Sequence, residues 1–205
     1  MKTTRQHIKD NALKLFNQYG FVNVRLQHIA DAAFISVGHL AYHFKNKDNI
    51  ISELYDDLKE KQELLLNEYR VVPLFEDINA YLVATFEQQQ KHTFFYTDTV
   101  EVLRAYPEIH LKHQKYIEWQ LYQINLMLAF NSSRGALIPL NSKIQNHLAW
   151  QIRSITEMWL NIKKVEFNSD VNIHHFLYDI WGIICPFFTD MGLREYQQIN
   201  IHCTN

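Results

Sequence analysis

Apolar positions in this 205-residue chain recur at steps of three and four, and that spacing predicts a string of amphipathic helices. Thr4 to Tyr19 is the first, with Ile8, Ala12, Leu15 and Phe16 inward and Gly20 placed to stop it. Between Val24 and Phe44 the rhythm shortens. Leu26, Ile29, Ala30 and Ala33 make the inner face of one short helix, and Ser36 can cap a second by accepting from a free backbone N–H. On that second helix Leu40 and Phe44 point inward together with Ile35. Val37, Gly38, His39, Ala41, Tyr42 and His43 are left outward, with no acid among them. Such a pair reads either as a helix-turn-helix or as two surface helices of an all-α domain.

From Asn46, a further cap, a helix runs to about Tyr69 without Gly or Pro. Ile50, Ile51, Leu54, Leu58, Leu65 and Tyr69 mark its apolar stripe, and Lys59, Glu60, Lys61 and Glu63 solvate the other side. At about 1.5 Å per residue this rod is ~35 Å long, a lever between the N-terminal helices and the rest. Pro73 breaks the chain. Helices are expected over 74–90, 94–105 and 107–130, the last opened by Pro107 in its first turn, and residues 131–141 read as a loop. A heptad-like helix follows over 144–162. The last helix, 171–191, is apolar almost all round, with a kink at Pro186. A helix with no polar face is buried on several sides, either in a monomer core or against a second copy of the chain.

Five glycines and four prolines in the chain are too few for a turn-rich β fold, so the expected class is all-α. Cys185 and Cys203 make neither a disulfide framework nor a metal set. The N-terminus has no apolar stretch of signal-peptide length, and the densest apolar run, 180–188, is too short to span a bilayer. A cytoplasmic protein without a membrane partner is expected. The net charge of −2 conceals an asymmetry: residues 1–47 carry seven Lys/Arg against two acids, the remainder thirteen against twenty. A basic segment on an acidic body fits a nucleic-acid-binding module steered by charge. Chance clustering of surface charge is the bland alternative.

Leu15-Phe16, Gly20-Phe21, Ile29-Ala30, Ala32-Ala33, Ser36, Gly38, Leu40, Tyr42-His43-Phe44 and Lys47 carry a resemblance to a known family. In that order and spacing they resemble the DNA-binding domain of the tetracycline-repressor (TetR) family of bacterial regulators. The motif covers about the first quarter of the chain. Departures stand beside it: Phe34 occupies the usual glycine of the turn, Val37 a lysine, His39 a threonine, Ala41 a tyrosine, and Arg25 a threonine or serine. A bulky residue at positive φ is strained, so either the turn adopts another conformation or Phe34 is used for packing.

The resemblance implies a helix-turn-helix domain over 1–47. A larger helical-bundle domain for ligand binding and dimerisation would follow over 48–205, linked by the long helix 46–69. It implies a dimeric DNA-binding transcriptional regulator, a repressor that a small-molecule effector releases from a palindromic double-stranded operator. Arg25, Tyr42, His43 and Lys47 are expected at phosphates, and Val37 and His39 at base edges. Ser36 caps the reading helix, and Gly38 lets its backbone approach. A two-chain four-helix interface is expected from Ile152, Ile155, Trp159, Phe176, Ile180, Trp181, Ile184 and Phe187.

Aromatic residues between Phe75 and Trp159 read as ordinary core or as the walls of an apolar or aromatic effector's site. Under the second reading the pocket is Phe86, Phe94, Phe95, Tyr96, Trp119, Tyr122 and Trp159, with Gln89, His113 and Glu118 as polar contacts. Eleven histidines invite a metal, yet neither His110 with His113 nor His174 with His175 has a carboxylate or thiol placed to complete a site. No metal, no cofactor and no catalytic residue is expected. The competing functions are an all-α enzyme that keeps the N-terminal unit as scaffold, and a helical interaction module.

Overall fold

The computed structural model describes residues 3–69, 72–166 and 171–202. Eleven α-helices are found among them: α1 (Thr4–Tyr19), α2 (Leu26–Ala32), α3 (Val37–His43), α4 (Lys47–Tyr69), α5 (Phe75–Lys91), α6 (Thr93–Thr97), α7 (Thr99–Ala105), α8 (Pro107–Ser133), α9 (Ser142–Val165), α10 (Ile173–Ile184) and α11 (Asp190–His202). The class is all-α, and among the described residues the only β pairing is an isolated bridge between Leu137 and Phe188. Cys203 lies outside the described residues; Cys185 is exposed and free.

The chain packs into two compact units, residues 1–61 with 91–113 and residues 62–90 with 114–205. The boundary after residue 47 that the resemblance implies falls within the first of these units. In the first unit Ile8, Ala12 and Phe16 of α1 are buried, as are Ile29, Ala30, Leu40 and Phe44 of the following pair and Ile50, Ile51, Leu54 and Leu58 of α4. The segment 91–113 closes that core from far along the chain. Phe94 sets its ring 5.4 Å from Phe16, Phe95 sits 5.3 Å from Tyr55, and Asn17 bonds both the Lys91 carbonyl and the Phe94 N–H. A three-helix unit alone would bury too little surface to be stable, and these added helices supply the missing area.

Caps fall where side chains can make them. Thr3 accepts from Gln6 N and opens α1, while Gly20, at φ +74, closes it by donating to the Phe16 carbonyl at 2.9 Å. Asn46 caps α4 by accepting from Asn49 N at 3.0 Å, and Asn141 and Asn172 do the same for α9 and α10.

In the second unit Phe75, Leu82, Leu148, Phe176, Ile180 and Trp181 centre the core. Two expected elements divide. The stretch 94–105 breaks at Asp98 into α6 and α7. The expected helix 171–191 ends at Ile184, passes through a 3-10 turn (Cys185–Phe187), and gives way to α11, which the apolar pattern did not announce. Pro186 ends this helix rather than bending it, and Phe188 is extended, its N–H returning to the Cys185 carbonyl at 3.1 Å. Thr189 then starts α11, accepting from Gly192 N. Residues 134–141 form the expected loop, held by Thr189 N and Ile138 N, which donate to the Ala136 and Phe187 carbonyls. Gly192 is required there, because a Cβ would collide with the Ala136 carbonyl. Asn131, by contrast, lies within α8, buried, its amide bonded to the Pro73 and Met127 carbonyls.

Candidate nucleic-acid interface

Helices α2 and α3 are joined by four residues. Phe34 N donates to the Asp31 carbonyl at 3.1 Å and Ile35 N to the Ala30 carbonyl at 3.0 Å, which is the double bond of a Schellman turn. The residue after the cap must then take the left-handed conformation. Here it is Phe34, at φ +56, and no other described non-glycine residue has a positive φ. A side chain in that region costs roughly 1–2 kcal/mol. The open alternatives therefore close: the turn keeps the conformation a glycine would favour, and Phe34 does not pack, since 93 % of its surface is exposed.

Ser36 caps α3 as expected, its hydroxyl accepting from His39 N at 3.1 Å. Leu40 is wholly buried and anchors the helix, while Gly38, His39, Ala41 and Tyr42 are exposed, Tyr42 by 85 %. Val37 and His43 are half-buried. The His43 ring lies 5.4 Å from that of His39 and edge-on to that of Tyr42 at 5.2 Å, so the three rings form one cluster. Arg25 is exposed at the start of α2, and its N–H donates to the His28 ring.

Lys47 is placed differently from the phosphate contact expected of it. Its ammonium donates to the Phe21 and Val24 carbonyls at 2.8 and 3.0 Å, beneath the chain that leads into α2. Burial holds its pKa below the usual lysine value, against the raising effect of Asp48. Lys47 is thus a clamp inside the unit. Other cations of the basic segment are also engaged: Arg5 pairs with Glu53, donates to the His43 carbonyl and lies over the Phe44 ring, and Lys9 pairs with Asp57 at 2.7 Å. Acids of α4 neutralise them, so the local charge excess is smaller than residue counts suggested. Arg25, at the head of α2, and Lys45, just after α3, remain exposed.

The second unit contains a cavity of about 50 Å³ between α4, α5, α8, α9 and α10. Its polar wall includes Gln62, Tyr81, Gln120, Arg153, Thr156 and Glu157. Gln120 Oε1, Arg153 Nε and Thr156 Oγ1 are buried without a hydrogen-bond partner among the described residues. Burial raises the Glu157 pKa, Arg153 opposing it, and pushes the Tyr81 phenol up to about 12.

None of the ten residues expected to form the pocket lines this cavity. Phe94, Phe95, Tyr96 and His113 belong to the core of the first unit, where His113 lies 3.3 Å from the Tyr55 hydroxyl. Phe86 and Trp159 pack on Phe176, Trp159 donates to Asp179, and Gln89 donates to the Thr156 carbonyl. Trp119 stacks on Tyr116, and Glu118 and Tyr122 are exposed. Helix phase explains the displacement: the cavity face of α8 carries Gln120, Ile124, Met127 and Leu128, and that of α9 carries Ile152, Arg153, Thr156 and Glu157.

The residues expected at a dimer interface are largely consumed within the second unit. Ile152, Trp159, Phe176, Ile180, Trp181 and Ile184 are buried, and Ile155 and Phe187 half-buried. On the same helices Met158, Ile162 and Tyr178 are exposed, and a Cβ added at Gly182 would meet open space. Among the described residues no group of three His, Cys, Asp or Glu is placed to hold a metal, and no helix is long and apolar enough to cross a membrane.

A capped reading helix set against a short support helix, with an all-helical body carrying a cavity, defines the helix-turn-helix regulator class. Comparison with known proteins agrees. Residues 8–54 match the family described as bacterial regulatory proteins, tetR family, and residues 59–196 match TetR, described as a bacterial transcriptional repressor. The chain belongs to the TetR family. It is similar to the HTH-type transcriptional regulator AcrR of Shigella flexneri, 45% identical over 53 residues, 26% of this chain and 25% of AcrR. It is also similar to the probable HTH-type transcriptional regulator YttP of Bacillus subtilis (strain 168), 26% identical over 126 residues, 56% of this chain and 61% of YttP. The chain thus spans from a quarter to about three fifths of the length of these curated relatives. A crystal structure of a TetR-family transcriptional regulator from Marinobacter aquaeolei VT8 shares the fold throughout: 98% of each chain is covered at 25% identity, with a TM-score of 0.85.

Proposed function

We propose that this protein is a sequence-specific DNA-binding repressor that acts as a homodimer in the cytoplasm and is released from a palindromic operator by a small molecule. The observation that carries the reading is α3: a capped helix, anchored by buried Leu40, that presents Val37, Gly38, His39 and Tyr42 outward without an acid. Val37 offers an apolar contact to a thymine methyl and His39 a hydrogen bond to a purine edge. Tyr42, His43, Arg25 and Lys45 serve phosphates and position the helix. Lys47 is reassigned from phosphate contact to internal clamp. The relatives named above are regulators, which favours this reading over an all-α enzyme.

Two copies would meet through exposed apolar residues rather than buried ones, so the interface is assigned to Met158 and Ile162 of α9 and Tyr178 and Gly182 of α10. In each pair the two positions are one helical turn apart and share a face. The effector site is assigned to the cavity. At about 50 Å³ it is far below the roughly 300–1,000 Å³ of a site for a drug-sized ligand. An effector must therefore part its walls, and Gln62 on α4 is one of them. The same helix begins directly after α3, so widening the cavity tilts the rod that fixes the half-site spacing. The effector has an apolar body and one polar end that donates to Gln120 Oε1 and accepts from Arg153 Nε.

Selection of bound duplexes from a random pool tests the reading. A palindromic consensus is expected. Tyr42→Ala is expected to weaken binding to every sequence, and His39→Ala to relax choice at one base pair per half-site by roughly 1–3 kcal/mol. A pool that yields no consensus, or variants that behave alike on scrambled duplexes, contradicts it.

A further inference from the structure

We infer that Phe34 is a DNA-contacting residue, an apolar wedge that meets the operator beside the reading helix. The inference rests on the assignment of α3 to the major groove. Its backbone is held left-handed by the two hydrogen bonds of the Schellman turn, a conformation that glycine adopts without penalty and asparagine tolerates better than other residues. Its ring is 93 % exposed, so no burial within the chain offsets that penalty. Folding gains nothing from a phenylalanine here and loses something.

The occupant follows from position. Phe34 stands two residues before Ser36, whose hydroxyl fixes the first turn of α3. In a helix-turn-helix the support helix crosses the DNA backbone and the N-terminal turn of the reading helix meets the bases, so the joint between them rides over the groove edge. Exposed Arg25 and Lys45 flank the same pair of helices and suit phosphates. An exposed ring in the joint between these helices meets the apolar chemistry of duplex DNA, which is the deoxyribose face or a thymine C5-methyl. The turn bonds leave the Phe34 Cα no freedom to withdraw. The ring is therefore pre-positioned for DNA.

The test measures thermal unfolding, oligomeric state and operator affinity for Phe34→Gly, Phe34→Asn and Phe34→Leu, with Tyr42→Ala as reference. Phe34→Gly and Phe34→Asn are expected to raise the unfolding midpoint by a few degrees, because backbone strain is relieved. Both are expected to lose about 5- to 10-fold in operator affinity with the dimer intact. The slope of affinity against salt stays unchanged, since no charge is removed. Phe34→Leu retains more affinity than Phe34→Gly. Replacing operator thymines by uracil in turn separates the two sources: a penalty that disappears at one position assigns the methyl, and one that persists at all assigns the sugar. A Phe34→Gly protein that is stabilised and binds as tightly as the parent, while Tyr42→Ala is weakened, overturns the inference. So does a loss of affinity that comes with loss of the dimer, or a Phe34→Gly protein less stable than the parent. If Tyr42→Ala also binds normally, the assignment of α3 fails, and this inference with it.

Discussion

Lys47 and Glu157 are two charged residues whose neighbours, rather than whose type, decide what they do. Lys47 is bound to two carbonyls of the segment entering α2, so its loss acts on folding first. Lys47→Ala is expected to destabilise the first unit by about 1–3 kcal/mol, the usual cost of removing hydrogen bonds made by a charged donor. Denaturant unfolding checks this, and binding of the still-folded fraction at low salt should fall less than in Tyr42→Ala. For Glu157 the folded pKa is raised by burial, with Arg153 pulling the other way. A raised carboxyl pKa means the native state keeps a proton that the unfolded chain has released. Stability from this group is then greatest below the ordinary carboxyl range, and is lost as pH rises through the folded value. Glu157→Gln should melt higher than the parent at neutral pH, and the difference should vanish at about pH 4 and below. Thermal melts across that range decide it, and a difference independent of pH sinks the assignment.

Ser36 is the cap on which α3 depends, and removing it should cost about 1 kcal/mol and fray the reading helix. Ser36→Ala is therefore expected to lower both the unfolding midpoint and operator affinity, measured by calorimetry and by titration. Helices were legible wherever an apolar stripe was bounded by a cap or stop: Gly20 after α1, Ser36 before α3, Asn46 before α4, Pro107 at the head of α8. They were not legible where apolar residues ran on through a break. From Ile180 to Phe188 no charged residue marks the end of α10, and Pro186 permits either a kink or a stop. What decides is tertiary: the 134–141 loop bonds to residues 187 and 189, and Gly192 fits under Ala136. Those partners are some fifty residues apart in sequence, beyond any local pattern. The segment 91–113 joined the first unit for the same kind of reason, through Phe94 on Phe16.

At the scale of the whole molecule, the site divides in the same way. The exposed face of α3 was legible because that helix is short, capped and acid-free, whereas the cavity lining and the exposed faces of α9 and α10 depend on which side of each helix a residue occupies. Buried apolar residues such as Trp181 and Ile180 cannot hold a partner as well as their own core. Tyr178, 74 % exposed, and Ile162 are free to do so. Tyr178→Glu combined with Ile162→Glu should shift the dimer to monomers at micromolar concentration in sedimentation experiments, leaving the helical circular dichroism unchanged. An unaltered dimer moves the interface elsewhere.

Two copies of α3 held at one separation and reading duplex DNA together are the core of this account. The most direct measurement is affinity for a selected operator compared with the same operator carrying five extra base pairs between its half-sites, titrated across salt. About half a helical turn is added, so one half-site rotates to the far side of the duplex. The spaced duplex is expected to bind no better than random sequence, and affinity for the native spacing to fall steeply with salt as phosphate contacts are screened. Equal affinity for both duplexes, or no binding to either at low salt, would contradict it.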